Sequence, residues 1–262
     1  MFPFHGYWRK TYFSENALLV NQATTSFEIE SPAPAYMVHN RALDEVESAL
    51  RGLGLTTEVQ TFKYKKTPGG ELYEGRNVHG IVHAPRSDHV EAIVVCTSLR
   101  TARGEPNDNG VALLTAFAEF AIRQNYWAKD VIILVTDSGE AGVEHWLKSY
   151  HGEQAEGTTT LKKRSGIIQA ALGIELPPVV QEGSQEGGYE SLGTYYLSNT
   201  GQLPNLDYVN VVTAVIKAQV AGSDVCLHIP FLKYKIDALT IGARPQPDLR
   251  GDDFNTDIIV IG

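Results

Sequence analysis

Cysteine is scarce in this sequence, and long apolar runs are missing from it. The two cysteines, Cys96 and Cys226, are too few for a disulfide framework or for a zinc knuckle. No uninterrupted apolar stretch is long enough to span a bilayer, and the pattern of a signal peptide is also missing. We therefore expect the segment itself to be soluble.

The sequence also lacks an excess of positive charge. Its formal net charge is -9 and its pI is near 5.4, which argues against binding nucleic acid through a general positive field. The longest basic clusters, residues 63–66 and 162–164, are short and typical of solvated loops or strand ends. We expect no nucleic-acid partner.

Several common catalytic signatures are absent as well. There is no closely spaced glycine turn for a dinucleotide, no phosphate-binding Gly-Lys-Ser/Thr loop and no Gly-x-Ser-x-Gly nucleophile elbow. Neither cysteine lies in a recognisable Cys/His nucleophile setting, and Cys96 is predicted to be a core residue of a buried strand. Metal-assisted hydrolysis is the remaining enzyme class that needs a comparison at the level of residues.

What the sequence does contain is an alternation of strands and helices in residues 91–150. Residues 92–97 and 131–136 are continuous apolar runs rich in β-branched side chains, and a polar loop and a helical pattern follow each run. Such runs are typical of buried parallel strands. The loops lie at the carboxyl ends of the strands, where open α/β sheets place their sites. The pattern predicts an α/β fold.

The rest of the chain predicts more elements of one domain that covers residues 1–262. Helical spacing occurs in residues 35–53 and 204–220. Strands are predicted at residues 55–64, 77–83, 166–176, 195–198, 237–242 and 257–261. The strand pair that precedes residue 91 predicts a mixed sheet with one antiparallel edge. The polar residues 151–163 predict a mobile surface loop.

The first eight residues are rich in aromatic side chains, and Arg9 and Lys10 follow them. Aromatic residues beside basic ones are typical of a membrane interface. A hydrophobic arm packed on the domain would have the same composition, so both interpretations stay open.

Residues 94–97, 106–110 and 132–142, with the helix that lies between the last two, resemble the zinc aminopeptidases of the bacterial leucyl aminopeptidase type. The resemblance implies a three-layer fold, in which helices flank a mixed, mostly parallel β-sheet. In that family a bridging carboxylate and terminal ligands hold two metal ions, and a free carboxylate activates the metal-bound water.

Only part of that zinc site is present in this chain. The first strand ends at Leu99 without the family's His-x-Asp, and the position of the general base is Gly139. The resemblance therefore implies a non-catalytic domain for which zinc is not favoured, because both metals and the base lose essential groups. The alternative is an active metallohydrolase with a rearranged metal site. The residues that match ligand positions are Asp108, Glu140, Glu175 and His228.

A closer resemblance covers nearly the whole chain. Five segments in the same order resemble the luminal domain of the glycosylphosphatidylinositol (GPI) anchor attachment family, a subunit of the GPI transamidase. The segments are residues 12–17, 126–130 with 134–136, 168–171, 201–207 and 231–234.

This resemblance implies a location and partners. The domain would lie in the lumen of the endoplasmic reticulum, held to its membrane by spans outside this segment, with residues 1–18 near the membrane. The partners would be the other transamidase subunits, including a cysteine-protease-like catalytic subunit, the GPI lipid and the C-terminal signal of the proprotein. The domain would bind GPI or proprotein and support anchor attachment. Assembly of the complex without any ligand site is the third hypothesis.

The resemblance also implies GPI contacts at Tyr12 and Ser14, and we add Glu175 because it ends a buried strand. Ser14 could instead cap a helix while Tyr12 packs at its rim, and Glu175 could form an ion pair within the loops.

An acidic pocket at the strand ends could hold the amines of GPI, or hold Mg²⁺ or Ca²⁺ against its phosphates. Its candidate members are Asp108, Glu175, His228 and Asp253, with Glu140 as a further cation ligand. Asp108 could instead cap the following helix, and His228 could be a packing residue.

Overall fold

The computed structural model describes residues 35–65, 70–153, 157–177, 189–195, 205–216 and 227–245. The helices in these ranges are α1 (Ala35–Gly52), α2 (Asp108–Ile122), α3 (Gly139–Tyr150), α4 (Leu206–Ile216) and α5 (Ile229–Lys233). The strands are β1 (Thr56–Lys65), β2 (Leu72–Val82), β3 (Glu91–Ser98), β4 (Asp130–Thr136), β5 (Ile167–Glu175), β6 (Tyr189–Tyr195) and β7 (Asp237–Pro245).

Several predictions lie outside the described residues. These are the membrane-proximal segment 1–18 with Tyr12 and Ser14, the strand at 257–261, and Asp253. The extent of the domain, residues 1–262, therefore stays a prediction. In the described ranges, no helix has both the length and the apolar content needed to cross a membrane.

The described strands form one sheet in the order β1-β2-β4-β3-β5-β7-β6. The central strands β4, β3, β5 and β7 are parallel to one another. At one side β1 pairs antiparallel with β2, and β2 pairs antiparallel with β4. At the other side β6 pairs antiparallel with β7. The antiparallel edge predicted from the strand pair before residue 91 is confirmed. The second one, at β6, was not predicted, because the short pattern near residue 195 does not reveal the direction in which a strand runs.

The centre of the sheet is apolar because it is covered on both faces. All seven residues of β4 are buried, as expected for a parallel strand between two helical layers. On one face the strands pack against Leu43 and Leu50 of α1 and Leu114 of α2. On the other face they pack against Trp146 of α3 and Phe231 of α5. The three-layer, mixed and mostly parallel α/β fold is thereby confirmed.

Two features differ from the sequence-based expectation. The five-residue helix α5 was missed, because it is shorter than one apolar repeat and Pro230 occupies its start. The described part of the segment predicted to be a mobile loop contacts β1. There the N–H group of Thr159 donates to the carbonyl oxygen of Thr61 at 2.9 Å, and Leu161 is buried in the core.

Candidate functional site at the carboxyl ends of the parallel strands

The strand order creates a switch point beside β3. The chain passes from β3 to β4 on one side and then returns to the other side of β3 as β5. In open α/β sheets, ligands bind in the crevice outside the carboxyl ends of the strands at such a point. The residues that follow β3, β4 and β5 therefore form the candidate site.

Asn107 joins the ends of β3 and β5 to the start of α2. Its side chain is fully buried. Its Nδ2 donates to the hydroxyl of Thr97 and to the carbonyl oxygen of Ser98, each at 2.8 Å. Its Oδ1 accepts the N–H group of Leu176 at 2.7 Å. This one amide therefore sets the separation of the two strand ends at the switch point.

In the sequence, Asn107 lies at a predicted helix start, but only its neighbour Asp108 was predicted to be a site residue. Asn107 is the N-cap position of α2 by backbone geometry, and its side chain makes no capping hydrogen bond. Asp108 is the first residue of the helix, so the prediction that it caps α2 was wrong. No signal in the sequence distinguishes a buried bridging Asn from an ordinary helix cap, since both precede the same apolar pattern.

Glu175 ends β5 and lies half-buried at the carboxyl edge of the sheet. Its Oε2 accepts the backbone N–H group of Ala102 at 3.2 Å. Ala102 belongs to the loop after β3, whose two ends meet through an isolated bridge between Arg100 and Pro106. Glu175 thus links β5 to the β3–α2 loop, and its carboxylate also keeps partial access to solvent.

Two further carboxyl groups stand in the first turns of the helices that follow β3 and β4. Desolvation raises the pKa of Asp108, and the guanidinium of Arg100 opposes that rise. Desolvation also raises the pKa of Glu140, while the Lys233 ammonium lowers it and Glu144 adds repulsion. Both groups hold a proton more readily than free carboxyls do, and a cationic ligand would favour their ionised forms.

His228 immediately precedes α5, on the face of the sheet that α3 and α5 cover, and it is 1% exposed. Its Nδ1 lies 3.0 Å from the hydroxyl oxygen of Thr240 on β7. Among the described residues its Nε2 has no hydrogen-bond partner. Burial lowers the pKa of His228 to about 4, so the ring is neutral at physiological pH.

We expect His228 to make the protein less stable in mild acid. The unfolded histidine binds a proton below about pH 6.5, whereas the buried ring resists protonation until about pH 4. Because the unfolded state then binds more protons, the free energy of unfolding falls as pH drops through this window, by about 3 kcal/mol in total. Urea unfolding from pH 7 to pH 4 measures this loss.

His228→Gln keeps a polar contact to Thr240 and removes the titration. The variant should have a flatter pH dependence than the wild type. Burial also lowers the pKa of His79, so part of the slope remains. Equal slopes in the variant and the wild type would contradict the assignment to His228.

The position that matches the general base is Gly139, the first residue of α3. Its φ is +56°, a region that side-chain-bearing residues adopt at a cost. An added Cβ would have open space around it, with the Ser98 hydroxyl 4.0 Å away. The local backbone conformation therefore favours glycine, although an added Cβ would meet no close contact.

The described residues do not fit a zinc pair. No three of Asp108, Glu140, Glu175 and His228 bring ligand atoms within 4.8 Å of one another. Three of them lie at the carboxyl edge of the sheet: Glu175 at the end of β5, Asp108 in the first turn of α2 and Glu140 in the first turn of α3. His228 is buried on the face of the sheet that α3 and α5 cover. Whether they hold a cation or GPI stays a prediction, and Asp253 lies outside the described residues.

Solved structures share this architecture. BSAP, a zinc aminopeptidase from Bacillus subtilis, superposes with a TM-score of 0.56 at 10% identity, and the match covers 88% of this chain and 84% of that one. A putative zinc-dependent exopeptidase from Bacteroides vulgatus gives a TM-score of 0.57 at 14% identity, over 88% and 87% of the two chains. At these identities the likeness shows the fold alone, and it confirms the predicted zinc-aminopeptidase-like class.

Sequence comparisons identify the family. The family model described as Gaa1-like, GPI transamidase component, matches residues 74–228. The GPI transamidase component GAA1 of Saccharomyces cerevisiae is 30% identical over 229 residues, which are 86% of this chain and 35% of that protein. The chain thus spans little more than a third of that relative. This chain belongs to the Gaa1-like family of GPI transamidase components.

Proposed function

We propose that this domain is a non-catalytic part of a GPI transamidase, which binds GPI, proprotein or both during anchor attachment to protein C-termini. The observation that carries the proposal is the Gaa1-like match over residues 74–228. That range contains Asp108, Glu140, Glu175 and His228, so the candidate site lies inside the family's own region.

The chemistry of the candidate site supports binding in preference to hydrolysis. A two-zinc hydrolase needs a bridging carboxylate, terminal ligands and a base, and this chain has Gly139 at the position of the base. Carboxylates that solvent can reach suit the ethanolamine amines of GPI, and Asp108 is exposed while Glu140 and Glu175 are half-buried. They would also suit Mg²⁺ or Ca²⁺, which prefer oxygen ligands and can bridge to phosphate. Such an ion would neutralise phosphate charge, and Glu175 and Asp108 would hold it.

The location and the partners are part of the proposal. We place the domain in the lumen of the endoplasmic reticulum, attached to its membrane and near a cysteine-protease-like catalytic subunit. The rest of a Gaa1-like protein provides room for membrane spans, since the match covers only 35% of the yeast relative. Tyr12 and Ser14 are assigned to the membrane edge, where they would contact GPI.

The proposal predicts that Glu175→Gln weakens GPI engagement. In cells that carry the full-length variant as their only copy, we expect severalfold less GPI to co-purify with the intact complex. A GPI-anchored reporter should reach the surface severalfold less. Glu105→Gln is the matched control, because Glu105 is an exposed residue of the neighbouring loop and loses the same charge. Gel filtration verifies that both complexes assemble.

Unchanged GPI co-purification in Glu175→Gln, and also in a Tyr12→Phe/Ser14→Ala double variant, would favour a pure assembly role. Elemental analysis of the purified wild type and of Glu175→Gln tests the hydrolase alternative, because only metal that the variant loses is assigned to the carboxyl edge. A metal bound at the carboxyl edge, together with peptide or amide turnover that Glu175→Gln and Asp108→Asn abolish, would overturn the non-catalytic assignment.

A further inference from the structure

A cluster of two histidines and one aspartate lies at the opposite end of the sheet from the candidate site. Asp130 is the first residue of β4, while the candidate site follows the last residue, Thr136. At about 3.3 Å per residue, the two places are about 20 Å apart. His83 and His89 belong to the loop that connects β2 to β3. Neither the zinc-aminopeptidase resemblance nor the proposed GPI site uses these residues.

The three side chains converge on one carboxylate. Asp130 is fully buried. The Nδ1 atom of His83 lies 3.0 Å from its Oδ2, and the Nδ1 atom of His89 lies 3.0 Å from Oδ1 and 2.9 Å from Oδ2. The two imidazole rings meet edge to face, with centroids 4.9 Å apart. Among the described residues, this is the one group of three or more His, Cys, Asp or Glu whose ligand atoms lie within 4.8 Å of one another.

Two further hydrogen-bond donors hold the Asp130 carboxylate in place. The backbone N–H group of Ala84 donates to Oδ1 at 3.0 Å, and the Ser165 hydroxyl donates to Oδ2 at 2.8 Å. Burial opposes ionisation of Asp130, but these donors and the two histidines outweigh it and lower the pKa to about 2. Asp130 is therefore ionised at physiological pH. Hydrogen bonds to a carboxylate from outside the ligand set also orient it in metal sites.

The backbone of His89 supports the same convergence. His89 has φ = +61°, a region uncommon for residues other than glycine, although His is among the residues enriched there. Its N–H group donates to the Ser87 hydroxyl at 2.9 Å. This turn returns the imidazole towards Asp130. A strained position at a point where ligand-type side chains meet is an indication of function.

We propose that His83, His89 and Asp130 form a binding site for a zinc-class transition-metal ion. Two imidazole nitrogens and one carboxylate oxygen suit Zn²⁺, whereas Mg²⁺ and Ca²⁺ prefer all-oxygen sites. Tetrahedral zinc with ligand bonds of about 2.0–2.2 Å needs donor atoms about 3.3 Å apart, close to the nitrogen–oxygen separations observed. In each histidine the ion would bind Nδ1, which must carry no proton in the metal-bound form.

The site would be open on one side. The side chains of His83 and His89 are 45% and 53% exposed, whereas Asp130 is buried. Three protein ligands leave at least one coordination position for water or for a group from outside the chain. The ion would fasten the β2–β3 loop to the start of β4, and Ser165, two residues before β5, would support it through Asp130.

Zinc titration of the chelator-treated 262-residue chain, in competition with a chromophoric chelator, tests the site. We expect one ion per chain with micromolar or tighter affinity. His83→Gln and His89→Asn should each weaken binding at least tenfold. Asn tolerates positive φ and keeps a donor for Asp130, so His89→Asn preserves the fold. His151→Gln is the matched control, because His151 is an exposed histidine that stacks on Tyr234, and it should bind as the wild type does.

A second measurement uses only the wild type. Diethylpyrocarbonate modifies accessible imidazoles, and mass spectrometry locates the modified residues. Saturating zinc should protect His83 and His89 and leave His151 reactive. No saturable binding, affinity that both cluster variants retain, or labelling of His83 and His89 that zinc does not change would each overturn the site. The histidines would then only donate hydrogen bonds to Asp130.

Discussion

Asn107→Asp should destabilise the protein by about 3–5 kcal/mol. The change replaces an amide donor with a carboxylate at a position with no exposed surface. The carbonyl oxygen of Ser98 and the hydroxyl of Thr97 lose the amide as a donor, and the carbonyl oxygen of Ile174 keeps the Thr97 hydroxyl but loses its bond from Asn107. The new charge also faces two carbonyl oxygens. Unpaired buried polar groups cost about 1–3 kcal/mol each, and an uncompensated buried charge costs about 3–5 kcal/mol.

The midpoint of urea unfolding measures this effect, and Asn109→Asp is its control. Asn109→Asp adds the same charge two residues away, at a partly exposed position. We expect it to lower the free energy of unfolding by less than about 1 kcal/mol. Equal losses in the two variants would show that added negative charge near α2 is responsible. The role of Asn107 as the link between strand ends would then be wrong.

Gly166→Ala should cost at least about 3 kcal/mol, the upper part of the usual range for overpacking. An added Cβ would lie 1.9 Å from the carbonyl carbon and 2.1 Å from the carbonyl oxygen of Val90, and 2.3 Å from the nitrogen of Glu91. These are backbone atoms, so no rotamer change relieves the clash. The neighbouring hydrogen bond from Ile167 N–H to the Val90 carbonyl, at 2.8 Å, would be strained as well.

Gly52→Ala is the matched control. Gly52 is the last residue of α1, and an added Cβ there has no heavy atom within 4 Å. Alanine favours helix and restricts the unfolded chain, so we expect a neutral or slightly stabilising effect of less than about 1 kcal/mol. Thermal unfolding of both variants separates the outcomes. A fall in midpoint of similar size in the two would contradict the close approach at Gly166.

The arrangement of strands and helices was largely readable from the sequence. Residues 92–97 and 131–136 are runs of apolar, β-branched side chains, and only strands covered on both faces bury such runs completely. The location of the candidate site followed from the same pattern, because parallel strands bring their carboxyl ends to one edge. Glu175 was predicted to end a strand, and the structure confirms that position.

The features of the structure that depend on long-range contacts could not be predicted from the sequence. Asp130 meets His83 and His89 across intervals of 47 and 41 residues, and each residue alone is unremarkable in the sequence. The role of Asn107 depends on Leu176, 69 residues away. The direction of β6 also depends on tertiary pairing. Local periodicity reports burial, but it contains no information on which distant polar groups will meet.

Cys96 gives the sheet an intrinsic chemical reporter. It is a free cysteine with no exposed surface, in the middle of β3, and desolvation raises its pKa far above the ordinary value. Since thiolates and not thiols react with alkylating reagents, Cys96 is not alkylated while β3 remains packed. In a Cys226→Ser background, the alkylation rate under native conditions therefore measures how often the centre of the protein opens. The same protection would keep this thiol reduced in an oxidising compartment for as long as the fold survives.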